Sequence, residues 1–134
     1  MGGADLVVRD RMTNDPRQAL GISGEDLACA ELQRRGYAIV ERRYRTRLGE
    51  IDVIAKDGLT IVFVEVKARM TQDFGGAAAA MTGWKQRRIA RMAADYLTRQ
   101  NLHDCPCRFD VVAIDFDQSE PRVIVYPNAF DSPF

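Results

Sequence analysis

Two stretches of this chain set acids and a lysine among apolar, β-favouring residues: Glu50-Ile51-Asp52-Val53-Ile54-Ala55 and Val62-Phe63-Val64-Glu65-Val66-Lys67. Side chains alternate along a strand, so Glu65 and Lys67 share one face while Val62, Val64 and Val66 take the other. The intervening Asp57-Gly58 reads as a two-residue hairpin turn. Counting back from that turn sets Lys56 opposite Leu59, Asp52 opposite Phe63 and Glu50 opposite Glu65, so Glu50, Asp52, Glu65 and Lys67 all project from one side. Asp52 and Glu65 then lie on a diagonal, roughly 7–8 Å apart at Cα, a span two carboxylates can bridge by converging on one cation. Clustered carboxylates repel and are costly to bury, and a divalent cation offsets both. Hard oxygen donors, few of them from protein, suit Mg²⁺ (or Mn²⁺) with water and phosphate completing the shell. Lys67, roughly 6.6–7 Å beyond Glu65 along the strand, can hold or polarise a water beside the metal. The chemistry expected of such a set is hydrolysis of a phosphodiester. A bare Glu-x-Lys also fits the solvated face of an edge strand, and the placement of Asp52 on the same face is what argues for a site.

The elements that must position these residues follow from the flanking pattern. Ser23 can cap a helix whose first turn carries Glu25 and Asp26, with Leu27, Ala28 and Leu32 as its apolar stripe and Gly36 as its stop. Glu25 prolongs that stripe toward the sheet. A short strand, Tyr37-Ala38-Ile39-Val40, runs into the arginine-rich stretch. After a Gly/Ala-rich connector from Phe74 to Ala80, a second helix is predicted from near Thr82 to about Leu97, with Ile89, Met92, Ala93, Tyr96 and Leu97 inward and Lys85 on the same face. Strands at Phe109 to Phe116 and Arg122 to Tyr126 close the domain. The order is αβββαββ, which implies a layered α/β domain with a mixed sheet flanked by helices. Residues 1–20 read as a loose leader, 21–130 as one domain and 131–134 as a tail.

With 134 residues, one compact domain is expected, and no apolar run approaches the ~20 residues of a membrane span. Residues 1–23 are broken up by charge and lack the apolar core of a secretory signal. Cys29, Cys105 and Cys107 form an odd set best suited to a reducing cytoplasm, and His103 with Cys105 and Cys107 falls short of the four ligands of a closed zinc site. Lys+Arg and Asp+Glu balance at 19 each, so any attraction for nucleic acid must come from distribution. Arg42, Arg43, Arg45 and Arg47 form one basic cluster, and Lys85, Arg87, Arg88 and Arg91 another. Either can face phosphates, although both also fit an ordinary solvated surface. Lys56, Lys67 and Lys85 are the three lysines, and two of them fall at candidate site positions, where a compact ammonium does what a guanidinium does not.

Taken in order, Gly24-Glu25, Gly49-Glu50-Ile51-Asp52-Val53-Ile54-Ala55, Val62-Phe63-Val64-Glu65-Val66-Lys67, Phe74-Gly75, Lys85, Arg108-Phe109-Asp110-Val111-Val112 and Asn128-Ala129-Phe130 resemble the YraN family of bacterial proteins. That family is assigned to the PD-(D/E)XK nuclease superfamily and is similar to archaeal Holliday-junction resolvases. The resemblance implies a restriction-endonuclease-like fold, with Asp52 and Glu65 as metal ligands, Lys67 orienting the water and Glu25 as an auxiliary acid at the metal. Ile51 stands where the superfamily usually has proline, and the stretch from Gly76 to Ala80 is richer in alanine than the family pattern. The expected function is a metal-dependent nuclease acting on DNA, branched or flap structures included. The alternative is a non-catalytic nucleic-acid-binding or adaptor protein that keeps the fold. A homodimer is compatible with either reading, and no membrane association is expected.

Overall fold

A computed structural model describes residues 16–69, 82–116 and 120–130, with side chains of the first helix from Gly24 onward. Its elements are α1 (Pro16–Arg34), β1 (Ala38–Thr46), β2 (Gly49–Asp57), β3 (Thr60–Arg69), α2 (Gly83–Arg99), β4 (Cys107–Asp115) and β5 (Arg122–Phe130). The five strands form one mixed sheet in the order β1-β2-β3-β4-β5, antiparallel except for the parallel β3–β4 pair. A parallel neighbour requires a crossover, and α2 lies in the segment that supplies it.

Strand alternation divides the interior into two cores. Ile61, Phe63, Phe109 and Val111 meet Ile89, Met92, Ala93, Tyr96 and Leu97 of α2 on one face. On the other, Val62, Val64, Val112 and Ile114 meet Ala28, Cys29 and Leu32 of α1. The central strands are thus apolar on both sides, as expected of a sheet covered by helices on each face. No helix among the described residues is long and apolar enough to cross a membrane.

Helix α1 ends as its sequence predicts. Gly36 has φ +93°, its N–H donates to the Gln33 carbonyl at 2.9 Å, and the Tyr37 N–H donates to the Leu32 carbonyl at 3.0 Å. These two bonds satisfy carbonyls that the helix leaves open. The start differs from expectation: the helix begins at Pro16, a residue suited to a first turn, and Ser23 lies inside it, so residues 16–20 are helix rather than leader. At Gly24 the helix crosses the sheet closely, since a Cβ there would lie 3.3 Å from Ala68 Cβ and 3.6 Å from Ile114 Cγ1.

Strand β1 is longer than the expected Tyr37–Val40 and carries the arginine-rich stretch along the sheet edge, where charged side chains stay hydrated. The β2–β3 turn also differs. Asp57 pairs with Thr60 and Ile54 with Phe63, so the turn residues are Gly58-Leu59. Gly58 has φ +63° and Leu59 is not among the residues of positive φ, which matches a turn with glycine at its first central position. A turn at Asp57-Gly58 with both φ positive would have forced Asp57 out of the ladder, where its carboxylate instead meets Arg108 Nη2 at 3.1 Å. The register is displaced by two residues from the expected one, which preserves facial parity. Strand β4 is shifted slightly from expectation, to Cys107–Asp115, and β5 starts at Arg122 as expected but runs on to Phe130. The connector with Phe74-Gly75 and Gly76–Ala80, the first 15 residues and the tail from 131 lie outside the described residues.

Candidate active site

Asp52 occupies the point where β2 parts from β3. The ladder between them runs from Asp57–Thr60 to Val53–Val64 and stops there, and the Val66 N–H donates at 2.8 Å to Asp52 Oδ2. A side-chain carboxylate thus takes the place of a backbone acceptor. Alternation breaks at the same level: Ile51 and Val53, two residues apart, enter opposite cores. On β1, Tyr44 packs on the α2 side, Arg42 reaches back to α1, and Arg43 between them has φ +57°. Since Tyr44 pairs with Ile51 and Arg42 with Val53, both strands twist together. The twist sets Asp52 in the gap between strands, open to influence from both faces.

Glu65 projects beside it from β3. Burial, then the Glu65 carboxylate, and to a lesser extent Glu25, push Asp52 up to about 7 against the pull of the Val66 N–H. Lys67 Nζ stands 3.8 Å from Glu65 Oε2. From the other side, Thr82 caps α2 by accepting a hydrogen bond from the Lys85 N–H at 3.3 Å, so Lys85 enters in the first turn. Its ammonium is held below the usual lysine range chiefly by neighbouring Lys67, while Glu65 acts in the opposite sense. Asp52, Glu65 and Lys67 therefore lie close together, although Asp52 is not opposite Phe63, and Lys85, expected to face phosphates, stands beside Lys67.

Glu50 leaves the acid set. It pairs with Arg45 across β1–β2, and Arg45 Nε donates to its Oε2 at 3.0 Å. Glu25 is buried and held by Arg42 Nη2 at 2.8 Å and Arg43 Nε at 3.2 Å, and Arg42 also pairs with Asp26 at 2.8 Å. Among the described residues no three His, Cys, Asp or Glu side chains converge on one point. The donor set suited to a hard cation is then Asp52 with Glu65, with Glu25 in reach of their field but turned to two guanidinium groups. An adjoining pair of carboxylates, one so destabilised that it holds its proton near neutrality, fits a divalent cation that would relieve the repulsion.

The eight basic residues expected to face phosphates divide. Arg42, Arg43 and Arg45 are committed to acids of this chain. Arg47 and Arg91 line a groove of about 910 Å³ between β1 and α2, and Arg87 is exposed. Arg88 is different in kind: its guanidinium lies 4.8 Å over the Trp84 ring, and its Nε is buried without a partner.

Sequence reasoning missed a second polar cluster, built on β4 and β5. Buried Asp110 accepts from Arg108 Nε at 3.1 Å and from the Asn128 N–H at 2.9 Å, and Arg108 also donates to the Tyr37 hydroxyl. The motif residues Arg108, Asp110 and Asn128 thus secure the irregularity of β5, where Asn128 has φ +56°, and stand apart from the acids of the site. A charged pair two apart in an apolar strand was its one visible signal. Buried Asp115 likewise accepts from Arg69 at 2.8 Å.

A profile of the uncharacterised protein family UPF0102 matches residues 24–114. A UPF0102 protein of Geobacter metallireducens is 46% identical over 114 residues, 85% of this chain and 93% of the relative. One of Dechloromonas aromatica is 50% identical over 107 residues, covering 80% and 88%, and one of Ralstonia pickettii is 54% identical over 102 residues, covering 72% and 81%.

Proposed function

We propose that this chain, which belongs to the uncharacterised protein family UPF0102, is a metal-dependent nuclease of restriction-endonuclease-like fold and hydrolyses phosphodiester bonds in DNA. The observation that carries the reading is the Asp52 carboxylate, set into a break between strands next to Glu65 and pushed up to about 7 by burial and then by that neighbouring acid. A bound cation would relieve both the burial of this carboxylate and its repulsion with Glu65. Asp52 and Glu65 would hold the ion, which when bound supplies Lewis-acid polarisation of a phosphate oxygen and a more acidic water. The Val66 N–H fixes one oxygen of Asp52 and so aims the other. Lys67 orients a water or a phosphate oxygen from its place beside Glu65, and Lys85 adds a second ammonium to steady developing charge. The mixed sheet with a helix on each face and the αβββαββ order support the fold assignment. A binding or adaptor module is the weaker reading, because acids gathered at a phosphate-facing site oppose binding unless a cation accompanies them.

Purified protein incubated with linear, flap and four-way DNA should cleave at least one of them with Mg²⁺ or Mn²⁺ and none with EDTA. Asp52→Asn and Glu65→Gln should each lower the rate about a hundredfold or more. Folded variants that cleave as the parent does would refute the assignment.

A further inference from the structure

Trp84 is the one tryptophan of the chain, and it is 61% exposed at the start of α2. A tryptophan joins a broad apolar ring to an N–H donor and is enriched where a protein meets a partner. Its surroundings are built. The Arg88 guanidinium stacks over the ring at 4.8 Å and lies beside Gly49, whose φ of +140° favours glycine at this point of the turn. Leu48, 38% exposed, precedes Gly49 and opens onto the groove between β1 and α2.

Trp84, Arg88, Arg91, Asp95 and Arg99 follow one another at four- and three-residue steps, so they form one stripe of α2, about 22 Å long. Beyond Arg88 the stripe is a wall of the groove, whose lining has four arginines against Glu41 and Asp95. Asp95 is already satisfied by the Tyr44 hydroxyl at 2.7 Å and by Arg99 at 3.0 Å. With Arg99 matched by Asp95 and Arg45 by Glu50, Arg47 and Arg91 stand against Glu41, and the groove keeps a modest surplus of positive charge. Lys85, next to Trp84, faces Lys67 and Glu65, so the ring and the acidic site share one end of α2.

We infer that Trp84 is a base-stacking platform and that a single strand of nucleic acid runs from it along the Arg47–Arg91 groove, leading unpaired DNA to the acidic site. A flat ring backed by a guanidinium, in line along α2 with a groove that carries Arg47 and Arg91, suits splayed bases with a flexible backbone, whereas a duplex hides the faces of its bases. The inference rests on the nuclease reading only for what happens to the strand, and binding can be measured without it.

The test uses the full chain in EDTA, following Trp84 emission while oligothymidylate of about twelve nucleotides, an abasic strand of equal length and a duplex are titrated in. Oligothymidylate should quench the emission and bind about tenfold tighter than the abasic strand. With a labelled strand, Trp84→Ala should weaken single-strand binding about tenfold and leave duplex binding unchanged, and Trp84→Phe should recover part of the loss. Absence of quenching, equal affinity for the abasic strand, or equal losses on duplex would overturn the inference. So would a dimer that Trp84→Ala dissociates, which would assign the patch to a second copy of the chain. Quenching in a protein that cleaves nothing would refute the nuclease alone, and cleavage without quenching would refute the platform alone.

Discussion

Asp52 holds its proton more tightly in the folded protein than in the unfolded chain, because folding buries it between strands beside Glu65. Between the ordinary aspartate range near pH 4 and its folded value of about 7, the native state binds the extra proton. Stability of the metal-free protein therefore falls as pH rises through that window and levels off above it. Asp52→Asn removes the charge and keeps an acceptor for the Val66 N–H. The variant should match the parent near pH 4 and exceed it by about 1–3 kcal/mol at pH 8 without metal. With Mg²⁺ in hundredfold excess over Kd the parent gains about 2.7 kcal/mol and the amide variant far less, so their stabilities cross as metal is added. Thermal melts of both proteins at the two pH values, with and without metal, would read this directly. Parallel metal responses would remove Asp52 from the ligand set. Glu25 differs from Asp52 although both are acids in reach of the site, since Arg42 and Arg43 already neutralise it.

At the scale of elements, local signals decide some boundaries almost alone. Gly36 is one: with φ +93° it suits a residue without Cβ, and Gly36→Ala should cost roughly 1–2 kcal/mol, read as a lower urea midpoint at unchanged slope. The inner face of α2 was legible for a similar reason, because Ile89, Met92, Ala93, Tyr96 and Leu97 recur at helical spacing and nothing else competes for them. The hairpin parity was legible too. Alternation alone placed Asp52 with Glu65 and Lys67, whereas the register depended on which pair of residues turns, and Gly58 can serve a turn on either side. Other features depend on contacts distant in sequence. That Glu50 belongs to Arg45, and Glu25 to Arg42 and Arg43 seventeen and eighteen residues away, follows from β1 running the length of the arginine stretch. Strand propensity gives little sign of that length, since the stretch is charged and lies at a sheet edge. The break in alternation at Asp52 was equally hidden, because it is made jointly by β1 and β2.

Over the whole molecule the charges cancel, so phosphate attraction must come from where cations are left unmatched rather than from long-range pull. The structure separates the arginines of α2 by that criterion. Arg87 is exposed and Arg91 opens onto the groove, whereas Arg88 is seated between Trp84 and Gly49 with its Nε out of reach of water. Each phosphate contact releases counterions, so removal of one lowers the slope of log affinity against log salt by about one. Arg91→Ala should show that loss equally for DNA of any sequence, with thermal stability unchanged, and Arg87→Ala should do so if the strand passes over the outer face of α2. Arg88→Ala should instead lower the melting temperature, because it strips packing from Trp84 and opens a gap at Gly49, and its effect on binding should appear mainly with single strands. Salt titrations of the three variants, each paired with a melt, would sort them. An unchanged slope for both Arg87→Ala and Arg91→Ala would mean that nucleic acid approaches this molecule from another side, and a stability loss at Arg91 equal to that at Arg88 would mean that the groove is held shut by its arginines rather than kept open for a ligand.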